Sequence, residues 1–205
     1  MSTGKLVVAV TGASGAIYAQ RFLREAAKVY EEILLIMSEQ AFQVASTELD
    51  MKLTRESFST LAWLGGDYPH IRLLESRNYF TPPASGSFRH DGMVIVPCSM
   101  GTAGRIAHGI SDDLVTRSAD VCLKEGRKLV LVPRETPYNA IHLENMLRLA
   151  HAGARILPAS PGFYHRPQTI GELVDHLCYR ILDQFDIPHS SRTRWTGDEV
   201  KDQGR

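Results

Sequence analysis

The stretch best suited to holding a phosphate is Thr11-Gly12-Ala13-Ser14-Gly15-Ala16, directly after the apolar run Leu6–Val10. A strand, a glycine turn and a helix start, in that order, leave free N–H groups and a partial positive charge at the helix N-terminus. Gly12 is expected to take a tight turn at positive φ and Gly15 to let the helix pack closely, while the Ser14 hydroxyl adds a donor. The glycines are spaced G-x-x-G, not the G-x-G-x-x-G of dinucleotide sites. The second apolar run, Ile33–Met37, leads into Ser38 where a nicotinamide enzyme would want an acidic residue; Glu39 comes next. Ser38 suits a phosphate or a ribityl chain, and would serve equally as an N-cap. The pattern tilts away from a dinucleotide without excluding it, and a glycine turn that only joins two elements is the plain alternative. A second turn of small and hydroxyl residues, Pro97-Cys98-Ser99-Met100-Gly101-Thr102, follows the run Met93–Val96. Nothing beside Cys98 marks it as a nucleophile. His108 and His142 have no carboxylate at a motif spacing and read as structural.

The elements that must position these turns are legible as alternating patterns. Strand-length apolar runs recur at Leu6–Val10, Ile33–Met37, Met93–Val96, Leu129–Val132 and Ala154–Leu157, with a weaker one at Ile71–Leu74. Continuous apolar runs suit strands buried on both faces of a parallel sheet. Helical spacings fill Ala16–Val29, Asp112–Leu123 after a Ser111 cap, Asn139–Ala150 and Ile170–Leu182. This order predicts one doubly wound, Rossmann-like (flavodoxin-like) α/β domain of three layers with a mostly parallel sheet. In the common strand order the first and fourth strands flank the point where the order reverses, so the two turns should meet at one ligand. Thr81–Gly92, rich in Pro, Gly and Ser, reads as a loop. The tail after residue 186 has the composition of a disordered segment, yet holds Trp195, one of two tryptophans.

Lys and Arg number 23 against 23 Asp and Glu, so no basic field points to nucleic acid. The first apolar run is far too short to span a bilayer, and no signal peptide is evident. Three widely spaced cysteines, Cys98, Cys122 and Cys178, argue against a disulfide framework or a zinc site. The expectation is a soluble cytoplasmic protein with reduced thiols, no metal, and no nucleic-acid or membrane partner.

Residues from about 5 to about 186 strongly resemble the UbiX family of flavin prenyltransferases. The matching motifs are Val10-Thr11-Gly12-Ala13-Ser14-Gly15-Ala16, Pro97-Cys98-Ser99-Met100-Gly101-Thr102 and Ala107-His108-Gly109-Ile110-Ser111-Asp112. They continue as Arg117-x-x-Asp120-Val121-x-Leu123-Lys124-Glu125, Pro133-Arg134-Glu135-Thr136-Pro137, His142-Leu143-Glu144-Asn145-Met146 and Pro158-Ala159-x-Pro161-x-Phe163-Tyr164. The resemblance implies transfer of a dimethylallyl group from dimethylallyl monophosphate to N5 and C6 of reduced FMN. The product, prenylated FMN, serves a UbiD-type decarboxylase. The family forms dodecamers with sites between subunits and needs no metal.

The resemblance places FMN on Gly12, Ala13, Ser14, Ser38, Ser99, Met100, Gly101, Thr102 and Arg134, whose guanidinium supplies a planar fork. It assigns the donor's phosphate to Arg117, Lys124, Arg134 and Arg180, with Tyr164 as a hydroxyl donor. Arg117 and Lys124 are seven apart and share a helical face, which suits a solvated surface as well as a site. It gives Glu135 and Glu48 acid–base work beside Ser14, though Glu48 also fits an ordinary helix-end carboxylate. Tyr79 and Trp195 match an aromatic cage for the prenyl chain. Thus residues 1–186 are expected to form the flavin-binding domain, and 187–205 a tail that contributes Trp195. Two other readings remain open: an FMN-dependent decarboxylase of the same fold, and a non-catalytic flavin-delivery protein.

Overall fold

The computed structural model describes residues 4–189. Its strands are β1 (Lys5–Val10), β2 (Glu32–Met37), β3 (Ile71–Leu74), β4 (Gly92–Cys98), β5 (Lys128–Pro133) and β6 (Arg155–Ile156). They form one sheet of six strands in the order β3-β2-β1-β4-β5-β6. Every pairing is parallel, so the sheet is wholly rather than mostly parallel. The helices are α1 (Ala16–Ala26), α2 (Glu39–Glu48), α3 (Thr60–Leu64), α4 (Met100–Ala107), α5 (Leu114–Lys124), α6 (Ala140–His151) and α7 (Ile170–Asp183).

Period-two alternation along the strands sorts their side chains onto the two faces. Leu6, Val8 and Val10 of β1 join Ile33, Leu35 and Met37 of β2 under Phe22 and Leu23 of α1 and Leu177 and Ile181 of α7. The intervening residues, Val7, Ala9, Leu34 and Ile36, pack with Ala103 and Ile106 of α4 and Val115, Ala119 and Cys122 of α5 on the other face. Each fully buried aliphatic side chain contributes about 1.5–3 kcal/mol, so a one-residue register slip would cost heavily on both faces at once.

Several expected boundaries move. The fifth helix starts at Leu114, capped by Asp113 in a reciprocal pair with Thr116, not by Ser111. Met100, Gly101 and Thr102, expected in a loop, form the first turn of α4, capped by Ser99. Gly101 and Gly104 weaken the helical signal there. Ser38 caps α2, accepting from the Ala41 amide at 3.1 Å. Residues 81–92 contain a single 3₁₀ turn, Pro82–Ala84. It is held where the Arg117 Nε donates to the Ala84 carbonyl at 3.2 Å and Arg127 donates to the Gly86 carbonyl. Cys98, Cys122 and Cys178 are free and buried. Burial pushes the Cys98 and Cys122 thiols up to about 12, and Cys178 higher still.

Candidate active site

Strand order reverses between β1 and β4, which leaves a crevice between the turns that follow them. Thr11 joins these turns. Its hydroxyl donates to the Pro97 carbonyl at 2.8 Å and accepts from the Ser99 amide at 2.8 Å. Beyond this link opens a cleft of about 670 Å³, lined by Thr11, Gly12, Ser38, Gln40, Arg77, Ser99, Gly101, Thr102, Arg105 and Asp113. The N-termini of α2 and α4 both open on it, which favours an anion.

The roles expected of the two glycines in the first turn are exchanged. Gly15 carries the positive φ, 112°, as N-cap of α1. Gly12 is instead the close approach: a Cβ there would lie 2.5 Å from the Gln40 Cβ. At Gly101 an added Cβ would meet nothing within 4 Å. The free amides expected at the start of α1 are occupied. Glu48, from the end of α2, accepts from Gly15 N at 2.9 Å and Ala16 N at 2.8 Å. Burial alone would raise the Glu48 carboxyl. The Ser14 hydroxyl, the two amides and the Arg134 charge outweigh that and hold it below the ordinary carboxylate range. Arg134 braces the same turn from the end of β5, its Nε donating to the Ser14 carbonyl at 3.1 Å. Gly12, Ala13, Ser14, Glu48 and Arg134 therefore form one connected cluster beside Ser38 and Ser99–Thr102.

Arg77, Arg105 and Asp113 also line the cleft, and the sequence patterns did not single them out. Arg105 Nη1 donates to Asp112 Oδ1 at 2.5 Å and Asp113 Oδ2 at 2.9 Å, and its Nη2 donates to Thr102 Oγ1 at 3.3 Å. Burial would raise Asp113, but the Thr116 amide and the Arg105 guanidinium hold its carboxyl below the usual range. The available signal was the helical spacing of Thr102 and Arg105, hidden because α4 read as a turn. Tyr79 does not line the cleft; it is exposed, with its hydroxyl donating to the Ser111 carbonyl at 3.3 Å.

The remaining expected residues lie elsewhere in the chain. Arg117 and Lys124 are on α5, paired with Asp120 and Glu125 respectively, and neither lines the cleft. Glu135 follows Arg134 in the loop after β5, its carboxylate accepting from the Thr136 amide at 3.0 Å. Tyr164 is in the loop after β6, its hydroxyl 3.0 Å from His176 Nε2. Arg180 pairs with Asp183 at 2.8 Å near the end of α7. Trp195 lies outside the described residues. His142 completes the cap of α6 around Asn139, and His108 Nδ1 is 2.8 Å from the Gly104 carbonyl. Among the described residues no His, Cys, Asp or Glu cluster could hold a metal, and no helix is long and apolar enough to cross a membrane.

The donor set fits FMN chemically. The Ser38, Ser99 and Thr102 hydroxyls, the two helix N-termini and the Arg77 and Arg105 guanidiniums suit a phosphate and a polyol chain. Comparison with known proteins agrees. The Flavoprotein family model matches residues 1–182. The flavin prenyltransferase UbiX of Alkalihalophilus pseudofirmus is 47 % identical over 191 residues, 93 % of this chain and 95 % of that protein. The structure of AnUbiX in complex with FMN and dimethylallyl pyrophosphate superposes with a TM-score of 0.83 at 41 % identity, covering 94 % of this chain and 97 % of that one. A dodecameric FMN-dependent UbiX-like decarboxylase from Escherichia coli O157:H7 gives a TM-score of 0.82 at 42 % identity, covering 94 % of this chain and all of the other. With the glycine turn, the second turn and the cleft between them in place, the chain belongs to the UbiX family of flavin prenyltransferases.

Proposed function

We propose that this protein prenylates reduced FMN with dimethylallyl monophosphate, joining the dimethylallyl group to N5 and C6, releasing inorganic phosphate, and supplying prenylated FMN to a UbiD-type decarboxylase. The observation that carries this reading is the likeness, across 94 % of the chain, to AnUbiX in complex with FMN and dimethylallyl pyrophosphate, beside the 47 % identity to a flavin prenyltransferase. FMN supplies the nucleophilic ring, and the rest falls to this chain's residues.

In this reading Ser38, Ser99, Met100, Gly101 and Thr102 hold the flavin through hydroxyls and helix-end amides, while Gly12, Ala13 and Ser14 form the bed that Glu48 and Arg134 keep rigid. As the donor's C–O bond breaks, charge gathers on the departing phosphate oxygens, so cations placed there stabilise the transition state more than the ground state. Arg180 and Tyr164 serve this end, with Arg117 and Lys124 brought to it from a neighbouring subunit of a homo-oligomer, such as the dodecamer of the E. coli relative. Glu135 moves the ring proton. Tyr79 and Trp195 flank the prenyl chain. The protein works in the cytoplasm, where its buried thiols stay reduced.

The test incubates the protein anaerobically with reduced FMN and dimethylallyl monophosphate, and follows flavin mass and phosphate release. A mass gain of one dimethylallyl unit is expected; the diphosphate in a parallel arm ranks the two donors. The E. coli relative is described as a decarboxylase, so carbon dioxide is measured from aromatic acids in the same preparation. Its release without flavin prenylation would favour that activity. Tight FMN binding with neither product would favour a delivery protein.

A further inference from the structure

We infer that Arg105 is the residue through which this chain selects a phosphorylated flavin: its Nε–Nη2 edge grips the 5′-phosphate of FMN, a contact that riboflavin forfeits. The inference rests on FMN occupying the cleft between the turns after β1 and β4. Arg105 lines that cleft from α4, one turn beyond Thr102. Both carboxylates that it meets are served by one nitrogen: Nη1 donates to Asp112 Oδ1 at 2.5 Å and to Asp113 Oδ2 at 2.9 Å. Asp113 is itself held in place, because its other oxygen caps α5 by accepting from the Thr116 amide at 2.8 Å. Among the described residues, Nη2 meets the Thr102 hydroxyl alone, at 3.3 Å. The guanidinium is thus fixed at one corner and presents the edge that suits a two-pronged anion. Arg21 shows the same edge at work in this chain, its Nε and Nη2 both donating to Asp175, each at 2.5 Å.

The neighbouring hydroxyls call for an acceptor in the same place. Thr102 Oγ1 accepts from Ser99 Oγ at 3.0 Å and from Arg105 Nη2. Both of its lone pairs are then used, which leaves its own proton to donate, and phosphate oxygens accept. Arg77, the other cation of the cleft, is less suited. It is exposed, on the loop after β3, and its Nη1 donates to the Asp112 carbonyl at 3.3 Å. A partly buried guanidinium with three anchors loses less freedom on gripping an anion than an exposed one on a loop. Charge sharpens the dependence on Arg105. Asp113 also lines the cleft, and without Arg105 it would stand uncompensated beside Asp112. Two carboxylates left in that state repel a phosphate, whereas riboflavin carries no charge for them to act on.

The experiment titrates the full chain with oxidised FMN and, separately, with riboflavin, reading flavin fluorescence, so that binding is measured without turnover. The parent should prefer FMN over riboflavin by about a hundredfold or more. Arg105→Ala should weaken FMN about 10- to 100-fold, the weight of a charge-assisted bond, and leave riboflavin within about twofold. Arg105→Lys, which keeps the charge but loses the fork, should fall between the two. Arg105→Ala combined with Asp113→Asn removes the stranded carboxylate and keeps a good N-cap. It should regain part of the FMN affinity yet remain at least about fivefold below the parent in its preference, and it decides the matter if Arg105→Ala alone does not fold. An unchanged preference in either of these variants overturns the role of Arg105. Equal loss of FMN and riboflavin overturns it too, since Arg105 would then only shape the cleft. Loss of preference in Arg77→Ala with none in Arg105→Ala overturns it in favour of Arg77. A parent that binds both flavins alike shows that the phosphate is not read at all, with the flavin site intact. A parent that binds neither flavin would instead show that the reading of the cleft as the FMN site is wrong, and this inference would fall with it.

Discussion

Glu48 stands where a free helix N-terminus was expected, and its carboxylate does for Gly15 and Ala16 what a bound anion would do. Gly15 has no side chain to cap α1, so the acceptor comes from the end of α2, in the chain's next helix. Replacing it, Glu48→Ala, should cost about 1 kcal/mol at neutral pH, read as a lower urea midpoint. Its folded carboxyl is held below the ordinary value, so this stabilisation is complete above the usual carboxylate range and disappears as the pH falls through the lowered value. The gap between parent and variant should therefore close on acidification; a gap that stays constant would mean the charge is not involved. The two cleft glycines offer a paired test. Gly12→Ala drives a Cβ into Gln40 and should destabilise the fold, whereas Gly101→Leu enters open space and should leave the melting temperature unchanged while weakening FMN at least tenfold. Calorimetry beside an FMN titration separates the two outcomes.

Between elements, the Thr11 hydroxyl ties the two turns across the reversal of strand order, beside its own amide, which donates to the same Pro97 carbonyl at 3.3 Å. Thr11→Val keeps the shape but leaves the Ser99 amide and Pro97 carbonyl without this partner, at a cost of about 1–3 kcal/mol; Thr11→Ser should retain most of the link. Equal loss in both variants, measured by chemical unfolding, would show that the methyl contact and not the hydroxyl matters. The strands were legible because both their faces are buried: Leu34 and Leu35 point to opposite layers and both must be apolar. The second helix was legible only at its ends, in Ser38 as a cap and Glu48 as a helix-end carboxylate, because only Ala41, Phe42 and Ala45 of it are buried, and two alanines carry little hydrophobic signal. Gly101 and Gly104 hid the fourth helix in the same way, and with it the spacing that puts Arg105 beside Thr102. The motif residues around the first turn were found by type and spacing, but that Glu48 would close on that turn depends on the path of residues 27–48, which no local pattern encodes.

At the scale of the molecule, Arg117 and Lys124 do not line the cleft of their own chain, and α6 exposes Ile141, Leu143 and Leu147, each more than half accessible. Apolar side chains of that size on one helix suit burial against another copy. Leu147→Asp should therefore give a smaller species by light scattering and lose prenylation while keeping its secondary structure; full activity in a monomer would show that one chain holds a complete site. The three thiols give a separate view of the same protein. Cys178 lies in the layer of α1 and α7, and Cys98 and Cys122 lie in the opposite layer. Each is buried, and each is too weakly acidic there to react as thiolate. Alkylation can proceed only when the layer above a given thiol lifts away, so the three labelling rates, resolved by peptide mass, time the opening of each face of the sheet without any introduced probe.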